Sequence, residues 1–455
     1  MSTKTIKTIN PYNGNILESY KQFSDDKVES YLSLANQTFE EWKTTEISER
    51  ITLFKQLADT LIKNKQLYSE LMTKEMGKPI SQSMAEIEKC ALLTDFYITN
   101  ADDFLADELI ETDASESFIS YDPLGCILGI MPWNYPFWQV LRFAIPTITA
   151  GNTVLLKHAA NVTGSALAIQ DLFEESGFPK GCFQTLIVDH DQIESIIADN
   201  RIQAVSLTGS EKAGKHIAQV AGKNLKKTVL ELGGNNACIV LADADLDSYL
   251  DTMVNARMQN TGQSCIAAKR FIVEAAIYDE FLEKFKNKVT SIEIGDPLKE
   301  ATGLSVLARE DLAKTLKDQV DKSVKKGAKI LIGNKSDKAF FEPTIITDVT
   351  PGMPVFDEET FGPVAAIIKV KDAEEAYKLA TNSRFGLGSM VFTKDTETAK
   401  HQINRIPDGA FFINDMVKSD PRLPFGGTKA SGFGRELSVE GIHEFVNKKT
   451  IYINL

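Results

Sequence analysis

From residue 126 onward the chain alternates between short apolar runs and longer segments with helical apolar spacing. The runs at 126–131, 153–156, 183–188, 204–207 and 228–232 read as strands. Segments 164–176, 191–200 and 211–222 between them read as helices. Strands separated by helices return in the same direction, so the pattern predicts a parallel, doubly wound sheet. A second series begins after Gly234. Its strands are expected at 237–241, 271–274, 329–332, 364–370, 390–393 and 410–414. Its helices are expected at 245–259, 279–289, 311–326, 373–381 and 397–405. Ahead of both series, 25–107 reads mostly as helix, with segments at 27–44, 48–63 and 64–76. The fold class is therefore α/β with two doubly wound open-sheet units. Two stretches belong to neither: 115–123 alternates weakly, and 447–454 reads as a terminal strand. Isolated strands are marginal alone, so these two pair with each other or with another subunit's sheet.

The size supports two units. A chain of 455 residues, 43% hydrophobic and 25% charged, has enough apolar material for two large cores. A net charge of −13 argues against nonspecific nucleic-acid binding and favours a soluble protein. The five cysteines form no CxxC pair and the five histidines no HExxH spacing, so neither a disulfide framework nor a metal site is expected. Residues 1–8 lack an apolar signal core, which predicts a cytoplasmic location. Residues 126–156 are rich in apolar side chains, but Pro132, Asn134, Pro136, Arg142 and Pro146 interrupt them. A membrane span needs about 20 largely uninterrupted apolar residues, so strand, loop and helix in a buried core are expected there.

Cys90, Cys126, Cys182 and Cys238 read as small buried hydrophobes, two of them inside strand runs. Cys265 differs. It follows Asn260-Thr261-Gly262-Gln263-Ser264, a polar loop between a helix and a strand. Upstream, Glu231 ends an apolar strand beside Gly233 and Gly234. A thiol and a carboxylate, each beside glycine and near the boundary between the two units, suggest covalent chemistry on a carbonyl in a cleft. Residues 205–214 read as strand, then Thr208-Gly209-Ser210, then a helix start. Such a helix N-terminus can hold phosphate, or Ser210 or Thr208 can simply cap the helix. After the strand at 153–156 comes Lys157-His158-Ala159-Ala160-Asn161, which offers a cation and no carboxylate. That chemistry tolerates a ribose 2′-phosphate.

Taken together, these segments resemble the aldehyde dehydrogenase superfamily over essentially the whole chain. The motifs are Pro132-Trp133-Asn134-Tyr135-Pro136, Lys157 after Val154-Leu155-Leu156, Thr208-Gly209-Ser210 and Glu231-Leu232-Gly233-Gly234. Further along come Gly262-Gln263-Ser264-Cys265, Glu358-Glu359-Thr360-Phe361-Gly362-Pro363 and Pro424-Phe425-Gly426-Gly427. The resemblance implies a Rossmann-like cofactor-binding domain from 1–110 and 126–231 and a catalytic domain from 232–425. Segments 111–125 and 426–455 would form a small β arm that bridges subunits of a homodimer or homotetramer.

It also implies roles. Cys265 attacks the aldehyde carbon, and the Asn134 amide with the Cys265 backbone N–H receives the oxyanion. Glu231 activates the water that hydrolyses the thioester. Lys157 holds the adenosine ribose, Gly209 and Ser210 the pyrophosphate, and Glu359 the nicotinamide ribose. Phe361, Trp133 and Gly233 line the channel. On local sequence alone, Asn134 also reads as a turn former, and Glu231 and Glu359 as solvated acids. Many family members carry a glutamate where Ala160 stands here, and a proline where His158 stands. The chain is therefore expected to use both NAD and NADP.

Lys157 to Val162 and Val417 to Pro424 look like the bacterial NAD(P)-dependent succinate-semialdehyde dehydrogenase subfamily. Arg142 supplies the physical argument, because a cation among apolar residues needs an anionic partner. That partner is either the substrate carboxylate or an internal Asp or Glu. Ser419 could add a hydrogen bond to the carboxylate, with Trp138 and Phe425 lining the aliphatic part. A broad aliphatic or aromatic aldehyde dehydrogenase is the alternative. A CoA-dependent acyl transferase is disfavoured by Glu231, which points to water as the acyl acceptor.

Overall fold

A computed structural model describes residues 4–455. Its first sheet has six strands in the order Gly432–Phe433, Lys227–Glu231, Ile202–Thr208, Cys126–Met131, Thr153–His158 and Phe183–Thr185. The neighbours from Lys227–Glu231 to Phe183–Thr185 are parallel, as crossover helices require. The second sheet has seven strands: Lys329–Ile332, Thr344–Thr347, Val364–Val370, Ala268–Glu274, Asn236–Val240, Ser389–Phe392 and Phe411–Ile413. It is parallel except at one edge, where Lys329–Ile332 runs antiparallel to Thr344–Thr347.

The apolar runs exist because both faces of each sheet are covered. In Cys126–Met131, Ile127 packs into one core while Cys126 and Leu128 pack into another. In Asn236–Val240, Ala237 and Ile239 face one core, and Cys238 and Val240 face the opposite one. A period of two with both faces buried gives a continuous apolar run rather than an alternating one. Leu155 is fully buried, and truncating such a leucine to alanine costs about 2–5 kcal/mol.

Several expectations need correction at their edges. The helix expected at 397–405 breaks into Thr396–Lys400 and a 3₁₀ turn at Ile403–Arg405. The strand expected at 183–188 stops at Thr185. Thr344–Thr347 and the N-terminal hairpin Thr5–Ile9 with Ile16–Lys21 had no clear sequence signal, being short or largely exposed. The two orphan strands pair with each other: Val446–Ile453 runs antiparallel to Glu116–Pro123, with Glu108–Leu109 beyond. The same C-terminal segment also sends Gly432–Phe433 back to the first sheet. Gly432 sits at φ +106° with a Cβ direction blocked by the Leu230 carbonyl, so a side chain would prevent this pairing. Among the described residues, no helix is long and apolar enough to cross a membrane.

Candidate active site

Parallel sheets present their strand carboxyl ends to ligands. Glu231 is the last residue of Lys227–Glu231, Thr208 the last of Ile202–Thr208, and the Pro132–Pro136 loop follows Met131. Cys265 arrives from the second unit, between the turn Gln259–Gly262 and the strand Ala268–Glu274.

Three cavities connect these elements. One of about 390 Å³ is lined by Trp133, Asn134, Gly209, Ser210, Gly233, Cys265, Glu359 and Phe361, among others. A second, of about 440 Å³, is lined by Trp138, Arg142, Cys265, Ser419 and Phe425 together with Lys89. The third, of about 890 Å³, holds Lys157, Ala160 and Asn161. Cys265 is on the wall of the first two, and Arg309 is on the wall of the first and third. The thiol therefore stands where the two smaller spaces meet. The structure places every expected site residue except Glu231 on one of these walls.

The Cys265 loop is held by an unusual backbone. Asn260 and Thr261 adopt left-handed conformations at φ 54° and 53°. For a β-branched residue this costs about 1–3 kcal/mol, and local bonds hold it in place. Asn260 Nδ2 donates to the Asn134 carbonyl at 2.7 Å, and the Asn260 N–H donates to Gln82 Oε1 at 2.7 Å. Asn134 Nδ2 donates in return to the Gln263 carbonyl at 3.1 Å. The two loops are thus tied reciprocally, and the Asn134 amide retains a second N–H. Asn134 is buried beside the thiol, more than a turn former requires.

Burial pushes the Cys265 thiol up to about 11, opposed by the Lys269 and Arg142 cations. Lys269 is fully buried, donates to the Ser264 carbonyl at 2.7 Å and lies 3.3 Å from Glu359 Oε1. Glu359 also accepts from the Gly234 N–H at 3.0 Å, so it is an anchored group and not a solvated turn acid. A Cβ at Gly233 would strike that carboxylate. Trp133 and Phe361 meet edge-on, with ring centroids 5.6 Å apart.

Glu231 is 2% exposed, and neither of its carboxylate oxygens has a hydrogen-bond partner among the described residues. Burial raises its pKa well above the usual carboxylate range, and the neighbouring Glu436 carboxylate adds to the shift. A solvated strand-end acid would show neither property. Glu436 is the residue that sequence reasoning missed most plainly. Its backbone pairs with Phe425 through two hydrogen bonds of 2.7 Å, and its Oε2 lies 2.5 Å from the Arg142 guanidinium. Arg142 is thus on the cavity wall and already has an internal acid as partner. Its guanidinium also lies 4.6 Å from the Phe425 ring centroid.

The cofactor end fits a dinucleotide. Ser210 caps the helix Glu211–Lys223, accepting from the Ala213 N–H at 3.3 Å. Thr208 Oγ1 on the 390 Å³ cavity and Asn161 Nδ2 on the 890 Å³ cavity are buried polar atoms without partners among the described residues. Orphaned donors and acceptors on residues that line a cavity suit a polar ligand. His158 was read only as a replacement for proline, but it is structural. Its Nε2 lies 3.0 Å from the Pro136 carbonyl, and its Nδ1 accepts from the Ala159 N–H at 3.0 Å. Burial pushes its pKa down to about 4, so it is a neutral brace between the Lys157 strand and the Asn134 loop.

Comparison with known proteins agrees with this arrangement. The aldehyde dehydrogenase family profile matches residues 1–451. A probable succinate-semialdehyde dehydrogenase (NADP+) of Synechocystis sp. is 48% identical over 451 residues, covering 98% of this chain and 99% of the relative. A succinate-semialdehyde dehydrogenase (NADP+) of Mycobacterium tuberculosis is 43% identical over 454 residues, with 98% and 99% covered. The crystal structure of succinic semialdehyde dehydrogenase from Streptococcus pyogenes in complex with NADP+ superposes with a TM-score of 0.97 at 38% identity, covering 99% of this chain and 100% of that one. With the thiol, the buried acid and the paired cavities in place, the chain belongs to the aldehyde dehydrogenase family.

Proposed function

We propose that this protein oxidises succinate semialdehyde to succinate, using NADP+ or NAD+. The observation that carries this reading is the position of Cys265 between two cavities, one bearing the cofactor motifs and the other a cationic wall. The similarity to succinate-semialdehyde dehydrogenases over nearly the full length supports the substrate.

The residues assign themselves to steps. Cys265 Sγ, once deprotonated, forms a bond to the aldehyde carbon, and the carbonyl oxygen takes the electron pair. The free N–H of Asn134 and the Cys265 backbone N–H stabilise that oxyanion. The nicotinamide, when bound, would supply the acceptor for the hydride of that carbon, and Cys265 would then carry the acyl group as a thioester. Glu231 takes a proton from water, the hydroxide attacks the thioester, and the thiolate leaves. Burial raises the Glu231 pKa, and a carboxylate made more basic in this way is better matched to that task than a solvated one. Ser210, Gly209 and Thr208 would hold the pyrophosphate, Glu359 the nicotinamide ribose and Lys157 the adenosine ribose. Ala160 presents no carboxylate, so a 2′-phosphate meets no repulsion.

We place the protein in the cytoplasm as a homo-oligomer. Its acidic charge and five free cysteines support the first point. The unpaired edge of Val446–Ile453 supports the second. The division into a cofactor-binding domain (1–110 and 126–231), a catalytic domain (232–425) and bridging segments is likewise our reading. The decisive experiment is an aldehyde panel with NAD+ and NADP+, reporting kcat/KM. Equal values for succinate semialdehyde and butanal would replace this reading with a broad-specificity enzyme.

A further inference from the structure

We infer that Lys89 is the principal cation that receives the substrate carboxylate, with Arg142 in a supporting position. This deepens the substrate reading above and rests on it.

Five charged residues line the cavity that contains Cys265 and Arg142: Glu86, Lys89, Arg142, Lys418 and Asp420. Four of them are already in ion pairs. Glu86 pairs with Lys78 and Arg142 with Glu436, while Lys418 lies 2.6 Å from Asp415 and Asp420 lies 2.7 Å from Arg422. Among the described residues, no carboxylate lies within ion-pair distance of Lys89. A half-buried ammonium on a cavity wall without a counter-ion is costly unless a ligand supplies one.

The side chain is also held in place. Lys89 lies on the helix Ile80–Leu105, one turn after Glu86. Glu86 Oε1 accepts from the Phe137 and Trp138 N–H groups, both at 2.9 Å. That contact fixes the start of the Trp138–Thr149 helix against the face that carries Lys89. The ammonium consequently sits 4.0 Å from the Trp138 ring and donates to Ser419 Oγ at 2.8 Å. One of its three N–H donors is committed to Ser419, which leaves two for a carboxylate. Ser419 is thereby joined to the same subsite through Lys89.

Burial and the Arg142 charge push the Lys89 pKa down to about 8, against Cys90 and Glu86 on its own helix and Asp420 across the cavity. The free enzyme therefore loses this charge as pH rises through about 8.

The test is the ratio of kcat/KM for succinate semialdehyde to that for butanal, which lacks the carboxylate. It would be measured on the purified full-length enzyme for wild type, Lys89→Met and Lys89→Arg. Lys89→Met should lower the ratio about 10- to 100-fold, mainly through KM, the range expected when a hydrogen bond between charged groups is lost. Lys89→Arg should recover most of it. The wild-type ratio should fall above pH 8, while that of Lys89→Arg should hold. A wild-type ratio retained by Lys89→Met overturns the inference and leaves Arg142 as the clamp. Parallel loss on both aldehydes also overturns it, because that marks a packing role. A wild-type ratio near one removes the substrate reading itself, and the inference with it.

Discussion

Glu86 and Glu231 are both buried carboxylates, and their surroundings are opposite. Glu86 is saturated: one oxygen pairs with the fully buried Lys78, and the other accepts two backbone N–H groups. Lys78 in turn lies 3.8 Å from the Tyr135 ring centroid. Glu75 is treated in the same way, accepting from the Gly164 and Ser165 N–H groups and from Ser165 Oγ. Glu231 makes no hydrogen bond among the described residues, whereas the Glu436 carboxylate beside it is committed to the Arg142 ion pair. A saturated buried acid fixes backbone. An unsaturated one is a high-energy group that folding alone would not keep. The first cluster aims the Asn134 loop and the Trp138 helix, and the second holds the base in reserve. Perturbed acids of the second kind concentrate at functional sites.

This contrast can be broken by substitution. The largest effect belongs to the nucleophile. Cys265→Ala should reduce NAD(P)H formation at least about 10³-fold without altering the thermal midpoint. Appreciable turnover in that variant would remove the thiol from the chemistry. Glu231→Gln should lower steady-state kcat about 10²- to 10⁴-fold, yet retain a single-turnover burst of NAD(P)H because hydride transfer precedes water attack. Its thermal midpoint should stay level or rise, since an uncompensated buried acid has gone. A large fall in stability would place Glu231 with the scaffold acids.

Glu86→Leu should do the reverse, costing about 3–5 kcal/mol because it leaves Lys78 buried without its partner. Equilibrium urea unfolding would check this, and a neutral result would erase the distinction between the clusters. The smallest effect is on thiol titration. With the Cys265 pKa raised to about 11, thiolate is scarce at neutral pH and grows about tenfold per pH unit. The rate of Cys265 alkylation by iodoacetamide in the cofactor-free enzyme should therefore still be climbing at pH 9. A plateau near pH 7 would mean that the local cations outweigh burial.

Much of the site was legible in the sequence because its parts are local. Cys265 stood out because its neighbours are loop formers, Glu231 because it ends a strand beside paired glycines, and Asn134 because prolines bracket its loop. Glu359 and Phe361 were reached only through the family resemblance, and the structure anchors Glu359 on Gly234 and Lys269. Lys89, Glu436 and Asn260 gave no signal. Lys89 lies within an ordinary amphipathic helix, and Glu436 in a short polar stretch. The left-handed turn at Asn260 and Thr261 is visible only once the Asn134 carbonyl is beside it.

Arg142 shows the limit most directly. The sequence posed two partners for it, a substrate carboxylate or an internal acid, and no spacing rule could choose. Periodicity by itself determined that there are two parallel-sheet units, most of their strands and helices, and the loops at which chemistry would sit, because hydrophobic period is a local property of the chain; it missed Thr344–Thr347 and Gly432–Phe433. The tertiary structure decided which charges are neutralised. Glu436 reaches Arg142 only because Phe425 and Glu436 pair their backbones, and Lys89 remains uncompensated because, among the described residues, the fold supplies a counter-ion to every other charged residue of that cavity. Ion pairing depends on distances of a few ångströms between residues remote in sequence, and only the folded chain sets those distances.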